Sequence, residues 1–268
     1  MDRCLWVPIR VLAIALAFQA GVYTELAAGQ ATTNESVNAR LLVSARTGDN
    51  AGVQRALADG AAVDSRNRLG ESALLVALKR GDWPMAKRLL DAGANVNQPA
   101  VNGITPLMAA AFGGSAELSA ILLERGADPS PIDRVKKTAM VYAAGEGQTA
   151  IVRQLLARGV DANRAYDNDL TALMWAAGYG HVDVIELLLA RGARVDLRDN
   201  RGMTALMIAS AQGHLAAVRK LLESGADRSL KDRSGKTARD HAAAAGHAEV
   251  VSVLSPTGSP HPESSGTR

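Results

Sequence analysis

Residues 171–193 read Thr171-Ala-Leu-Met-Trp-Ala-Ala-Gly-Tyr-Gly-His-Val-Asp-Val-Ile-Glu-Leu-Leu-Leu-Ala-Arg-Gly-Ala193. Thr171 stands where a hydroxyl can cap a helix N-terminus, and the Ala-rich run behind it ends at Gly180, a residue that accepts the left-handed conformation closing a helix. A second run carries Leu188 and Leu189 and stops at Gly192-Ala193. The stretch therefore predicts two short antiparallel helices. Alanines such as Ala176 and Ala177 would let the first helix approach its neighbours closely, and the paired leucines would supply an apolar seam.

The same sentence is written along most of the chain. Gly60, Gly93, Gly126, Gly159, Gly192 and Gly225 are spaced by 33 residues, and so are Gly48, Gly81, Gly114, Gly147, Gly180, Gly213 and Gly246. A third ladder in the same register opens each unit: Ser72-Ala-Leu, Thr105-Pro-Leu, Thr138-Ala-Met, Thr171-Ala-Leu, Thr204-Ala-Leu and Thr237-Ala-Arg. Leucine pairs recur at 89/90, 122/123, 155/156, 188/189 and 221/222. Independent ladders with one period identify a stacked repeat in which each unit buries its apolar face only against its neighbours. Between units, segments such as Asp199-Asn-Arg-Gly202 carry turn chemistry and predict a projecting hairpin.

This pattern, over residues 36–254, resembles the ankyrin repeat family. The resemblance implies an all-α solenoid of about seven 33-residue helix-turn-helix-hairpin units, near 36–66, 67–99, 100–132, 133–165, 166–198, 199–231 and 232–254, whose concave face of hairpin tips and first helices binds partners. The first unit lacks a clear leading hairpin. The histidine that usually follows the Thr-Pro-Leu step is replaced by Leu75, Met108, Val141, Met174, Met207 and Asp240, so mostly apolar packing is expected there. The turn glycine at 70, 103, 202 and 235 becomes Lys136 and Asp169 in mid-array. Lysine tolerates a left-handed turn poorly, so the hairpin at Arg134–Lys137, preceded by Pro129 and Pro131, is expected to be the least regular. Arg239, Asp240 and His241 give the last unit a polar cap, and residues 255–268 are expected to be a disordered tail.

The N-terminus reads differently. Arg3 and Arg10 precede the apolar run Val11–Phe18, and small residues follow from Ala20 to Ala31. This is the layout of a signal peptide, assigned to residues 1–31, with the repeat domain at 32–254. The run is shorter than the roughly 20 residues of a membrane span. Retention as an anchor and packing on the first unit are the competing readings, and cleavage after Ala20 or after Ala31 is open. Cys4 lies before the apolar run, which excludes the lipoprotein arrangement, and a cleaved chain would contain no cysteine. Membrane association is expected only through an uncleaved signal segment.

The chain has 30 basic and 27 acidic residues, dispersed without long like-charge runs, and 3% aromatic content. A basic stripe with stacking aromatics is missing, so nucleic acid is not an expected partner. Gly235-Lys-Thr lacks the glycine five residues earlier that a phosphate loop needs, because Leu230 stands there. His181, His214 and His247 repeat at the unit interval. Stacked helices lie about 8–10 Å apart, too far for their imidazoles to converge at roughly 2 Å on one metal. Met108, Met174 and Met207 read as core filling, and the dispersed carboxylates Asp161, Asp196 and Asp227 do not meet at one substrate. No catalytic residue, cofactor or metal is expected.

Function is therefore sought in positions that the repeat leaves free. Residues following the turn position are Glu71, Ile104, Lys137, Leu170, Met203 and Lys236, half of them large and apolar. With Val101, Phe112, Val135 and Tyr179 they outline a candidate partner-binding strip comprising Val101, Ile104, Phe112, Val135, Leu170, Tyr179 and Met203. Arg68, Lys79 and Arg80 border it on one side and Arg201, Arg233 and Lys236 on the other. An apolar strip with a charged rim is the anatomy of a protein interface. Trp175 holds a framework position and is expected in the core. The expected activity is non-catalytic binding of one protein partner by a monomeric, periplasmic or secreted chain. A host-delivered effector and, from the resemblance to exported bacterial ankyrin proteins, an accessory of an envelope oxidative-stress enzyme are the alternatives.

Overall fold

The computed structural model describes residues 36–255. The expected signal segment, and the tail beyond Ser255, lie outside the described residues. Among the described residues fourteen α-helices form seven pairs: α1 Val37–Thr47 with α2 Asn50–Ala58, α3 Ala73–Arg80 with α4 Trp83–Asp91, α5 Pro106–Gly113 with α6 Ala116–Glu124, and α7 Ala139–Gly145 with α8 Thr149–Ala157. The series continues with α9 Ala172–Tyr179 and α10 Val182–Ala190, α11 Ala205–Ala211 and α12 Leu215–Glu223, and α13 Ala238–Ala245 and α14 Ala248–Leu254.

The ladders do what their chemistry predicts. The hydroxyls of Ser72, Thr105, Thr138, Thr171, Thr204 and Thr237 each accept the amide three residues on, capping α3, α5, α7, α9, α11 and α13. Each first helix packs on the first helix of the next unit more extensively than the second helices pack on one another. Fully buried Ala77, Ala110, Ala143, Ala176 and Ala209 permit that approach. The array curves accordingly, with first helices and hairpins on the inner face. Leu89, Leu122, Leu155, Leu188 and Leu221 are wholly buried between the two layers and tie each unit to the next.

Polar side chains reinforce the seams. His181 and His214 reach back through Nε2 to the carbonyls of Gly145 and Gly178, at 2.8 and 3.0 Å. Gly147 shows why the ladders are coupled: its backbone is left-handed at φ 73°, and a Cβ there would lie 2.7 Å from the His181 ring. The histidine ladder thus takes part in joining units. The guanidinium groups of Arg125 and Arg158 donate to Leu90 O and Leu123 O of the preceding units, at helix C-termini where a cation is favoured. Where the usual histidine is absent, Met108 and Met174 sulfurs lie 3.5 Å from the Thr105 and Thr171 amides and accept from them.

The hairpins correct one expectation. The segment around Lys136 is regular, and the irregular one lies a unit later. Lys136 does adopt the left-handed region, at φ 63°, but Asp133 Oδ1 accepts the amides of Val135 and Lys137 at 3.0 and 2.9 Å and holds the turn closed. Asn67, Asp199 and Asp232 perform the same service in their own hairpins. In the fifth unit Tyr166 occupies that position and the turn glycine is missing too. Residues Asp167–Asp169 coil into a short 3₁₀ turn with both Asn168 and Asp169 left-handed. Since a non-glycine side chain costs about 1–2 kcal/mol in this conformation, Lys136→Gly is expected to stabilise the protein by about 1 kcal/mol, read as a raised urea midpoint with unchanged slope.

Candidate binding face

Four aromatic side chains rise from the inner helices of units three to five. Phe112 is the penultimate residue of α5, Tyr142 lies in α7, and Trp175 and Tyr179 lie one turn apart on α9. Phe112 meets Tyr142 edge-on at 5.9 Å between centroids, and Trp175 stacks on Tyr179 at 6.3 Å. Tyr179 in turn stacks on His181 at 6.2 Å, which joins the row to the inter-unit seam. Gly145 of α7 lies beside this pair, and a Cβ there would stand in ordinary van der Waals contact, 3.6 Å from Tyr179 and 3.8 Å from Trp175.

Lys137 comes from the fourth hairpin and projects over these rings. Its Nζ lies 4.8 Å from the Trp175 centroid and 5.4 Å from that of Tyr142, within cation–π range of both. Burial pulls its pKa down, against the opposing pull of the Asp133 and Glu146 carboxylates. Tyr142 is fixed from below by a 2.5 Å hydrogen bond from its hydroxyl to buried Asp133. Burial, and then that bond, raise the Tyr142 pKa strongly, so it stays a neutral donor. One carboxylate therefore closes the hairpin, anchors an aromatic ring and faces a lysine. These groups form a braced platform with an amphipathic upper surface.

The last unit repeats the brace in the same register, with His241 Nε2 lying 2.8 Å from Asp232 Oδ2. Burial opposes the Asp232 carboxylate, yet the Lys236 and Ser234 amides, the Ser234 hydroxyl and His241 together hold its pKa down to about 2, below its ordinary 3.8. A carboxylate whose pKa is depressed on folding contributes stability above its unfolded value and loses it as pH falls through the folded one. The last unit is expected to loosen between about pH 4 and pH 2, and Asp232→Asn to remove that part of the acid dependence, followed by amide exchange in α13 and α14.

A second surface lies along the hairpin tips. Leu69, Val101, Ile132 and Val135 are 53–62% exposed, and all lie in the hairpins of units two to four. These hairpins are zipped laterally, Val101 N donating to Leu69 O and Arg134 N to Asn102 O, both at 2.9 Å. Gly103 allows the contact: a Cβ there would stand 2.9 Å from Asp133 Cα. The equivalent bond from Asp167 to Val135 is not made, and the zipper resumes with Asn200 N to Asn168 O and Arg233 N to Arg201 O. The ridge is thus divided after unit four, at the hairpin distorted by Tyr166.

Family comparison bears directly on this architecture. The family described as "Ankyrin repeats (3 copies)" matches residues 41–133 and 131–199, and "Ankyrin repeats (many copies)" matches residues 188–242. The chain belongs to the ankyrin repeat family. Ankyrin repeats are generally non-catalytic modules for protein–protein interaction. Among solved structures, the human ASB11 ankyrin repeat domain is similar with a TM-score of 0.73 and 29% identity, over 82% of this chain and 99% of that domain. No curated protein matches the chain.

Within this ankyrin scaffold the sequence-predicted strip divides. Val101 and Val135 are exposed at hairpin tips, and Phe112, Leu170 and Tyr179 are half-buried on the inner side. Ile104 and Met203 are 7% and 8% exposed and belong to the core: after Gly103 and Gly202 the next residue folds back under its own hairpin, unlike Lys137 and Leu170, where the turn glycine is missing. Glu71 follows the same rule and pairs with Lys79 at 2.5 Å, so Lys79 is an interior partner rather than a rim cation. Trp175, expected in the core, is instead partly exposed beneath Lys137. Lys137 and Leu69 complete the two surfaces and buried Tyr142 supports the first from beneath, none of which is evident from positions taken one hairpin at a time. Asp and Asn at 67, 133, 199 and 232 carried the overlooked signal. Among the described residues no group of three or more His, Cys, Asp or Glu side chains is placed to hold a metal ion, and no helix is long and apolar enough to cross a membrane.

Proposed function

We propose that this ankyrin protein is a periplasmic or secreted binding module that docks one protein partner on its inner face, over the platform of units three to five. The observation that carries the reading is the row Phe112, Tyr142, Trp175 and Tyr179. Phe112, Trp175 and Tyr179 are partly exposed above buried Tyr142, at positions where other units carry Lys79, Val76 and Arg80. The ankyrin fold does not require aromatic residues there, whereas stiff aromatic anchors are the side chains that dominate protein-interface energetics. The location rests on the N-terminal pattern of Arg3, Arg10 and the run Val11–Phe18.

Phe112→Arg and Tyr179→Arg are expected to abolish capture of the partner from an envelope or secreted fraction while leaving the helical circular dichroism and melting unchanged. Both side chains are half-buried at the surface end of a helix, so arginine can turn its charge to solvent. Unchanged capture by folded variants would contradict the assignment, as would loss of the fold together with capture.

A further inference from the structure

We infer that the zipped ridge of hairpins two to four binds an extended acidic segment of a protein, with apolar side chains at every third position. The inference rests on the protein-binding reading above and adds the partner's chemistry and a second point of contact. The tips present Leu69, Val101 and Val135, each more than half exposed. Such a row of aliphatic groups marks a contact surface rather than scattered exposure.

Charge selects the partner. The tip segments 66–72, 99–105 and 132–138 contain two carboxylates, Glu71 and Asp133, and both are buried, engaged by Lys79 and Tyr142, while Asp64 and Asp128 lie outside the tips. The ionic groups left at the surface of the tips are cationic: Arg68, Arg134 and Lys136. The tips therefore offer apolar contacts set among cations, which favours Asp and Glu and disfavours Lys and Arg in the approaching chain. The patch is bounded at its far end, where hairpin five exposes Asp167 and Asp169 and the lateral zipper is broken. An acidic segment would be repelled there.

Spacing selects the conformation. Stacked units repeat at about 10 Å, and a chain in the extended polyproline II conformation rises about 3.1 Å per residue with three residues per turn, so that residues i and i+3 face the same side. Every third residue of an extended segment therefore meets a successive tip, and a segment of about ten residues covers the three hairpins with its ends overhanging. Nucleic acid would satisfy the cations, but the tips have aliphatic groups where base-stacking aromatics would be needed.

The test uses the full chain and a fluorescein-labelled ten-residue peptide with leucine at positions 2, 5 and 8 and Asp or Glu elsewhere, followed by anisotropy. Binding is expected at low salt and should weaken about tenfold or more with Arg134→Glu/Lys136→Glu, with Val101→Ser/Val135→Ser, and with added salt. Tyr179→Arg, which tests the inner platform, should leave peptide binding unchanged. All three substituted surfaces are solvent-accessible, and circular dichroism verifies the fold of each variant. Equal binding of a peptide carrying lysines in place of the acids, or serines in place of the leucines, would overturn the inference. Indifference of the acidic peptide to the ridge variants would also overturn it. So would binding of a 20-base-pair DNA duplex or of phosphatidylglycerol vesicles, with the same ridge dependence, in place of the peptide. Peptide failure with capture still sensitive to Tyr179→Arg would refute the ridge alone.

Discussion

Leu155→Ala is expected to lower the free energy of unfolding by about 2–5 kcal/mol, the range for truncating a fully buried leucine. Leu155 lies on α8 with no exposed surface, in the middle unit of seven. An array held together by nearest-neighbour contacts transmits such damage according to position. A cavity at unit four weakens both flanking interfaces, so the two halves should separate into distinct transitions in urea. Leu254→Ala, at the last helix, should only fray the terminal unit. Natural domains have about 5–15 kcal/mol in total, so the central substitution removes a large share. A single unshifted transition in Leu155→Ala would mean that the seam is not where the stability lies.

Asp133→Ala is expected to cost about 2–3 kcal/mol, because one buried carboxylate serves several partners. Its loss leaves the Tyr142 hydroxyl without its acceptor and the amides of Val135 and Lys137 without theirs. A buried donor stripped of its partner costs about 1–3 kcal/mol, and the left-handed Lys136 would lose the contacts that hold it. The change should also release Tyr142 and weaken partner capture. Tyr142→Phe separates the two effects, since it removes one hydrogen bond while the hairpin stays closed. Asp133→Ala with wild-type stability would show that the turn needs no such brace.

The extent to which this could be read in the sequence follows from how local each feature is. Helix boundaries were legible because Thr171 and Gly180 act on the backbone next to them, and repetition multiplied the signal. Burial of Ile104 and Met203 was not, because it depends on the hairpin folding back under its own tip. The irregular hairpin was misplaced for a related reason. Lysine at 136 is locally unfavourable, but the decisive residue is Asp133 three positions earlier, and Tyr166 is the corresponding gap one unit on. The platform was only half visible: Phe112 and Tyr179 stand out by size, whereas Lys137 enters it from a hairpin and Trp175 joins it by stacking on Tyr179 beneath that lysine.

The proposed binding mode places the partner on the inner face and not on the outer one. A photoreactive benzoylphenylalanine placed at Tyr179, and in a second variant at the exposed Arg153 of outer helix α8, tests it in the intact cell fraction. One discrete protein adduct is expected from position 179 and none from position 153. An adduct from 153 alone, or the same adduct from both faces, would contradict it.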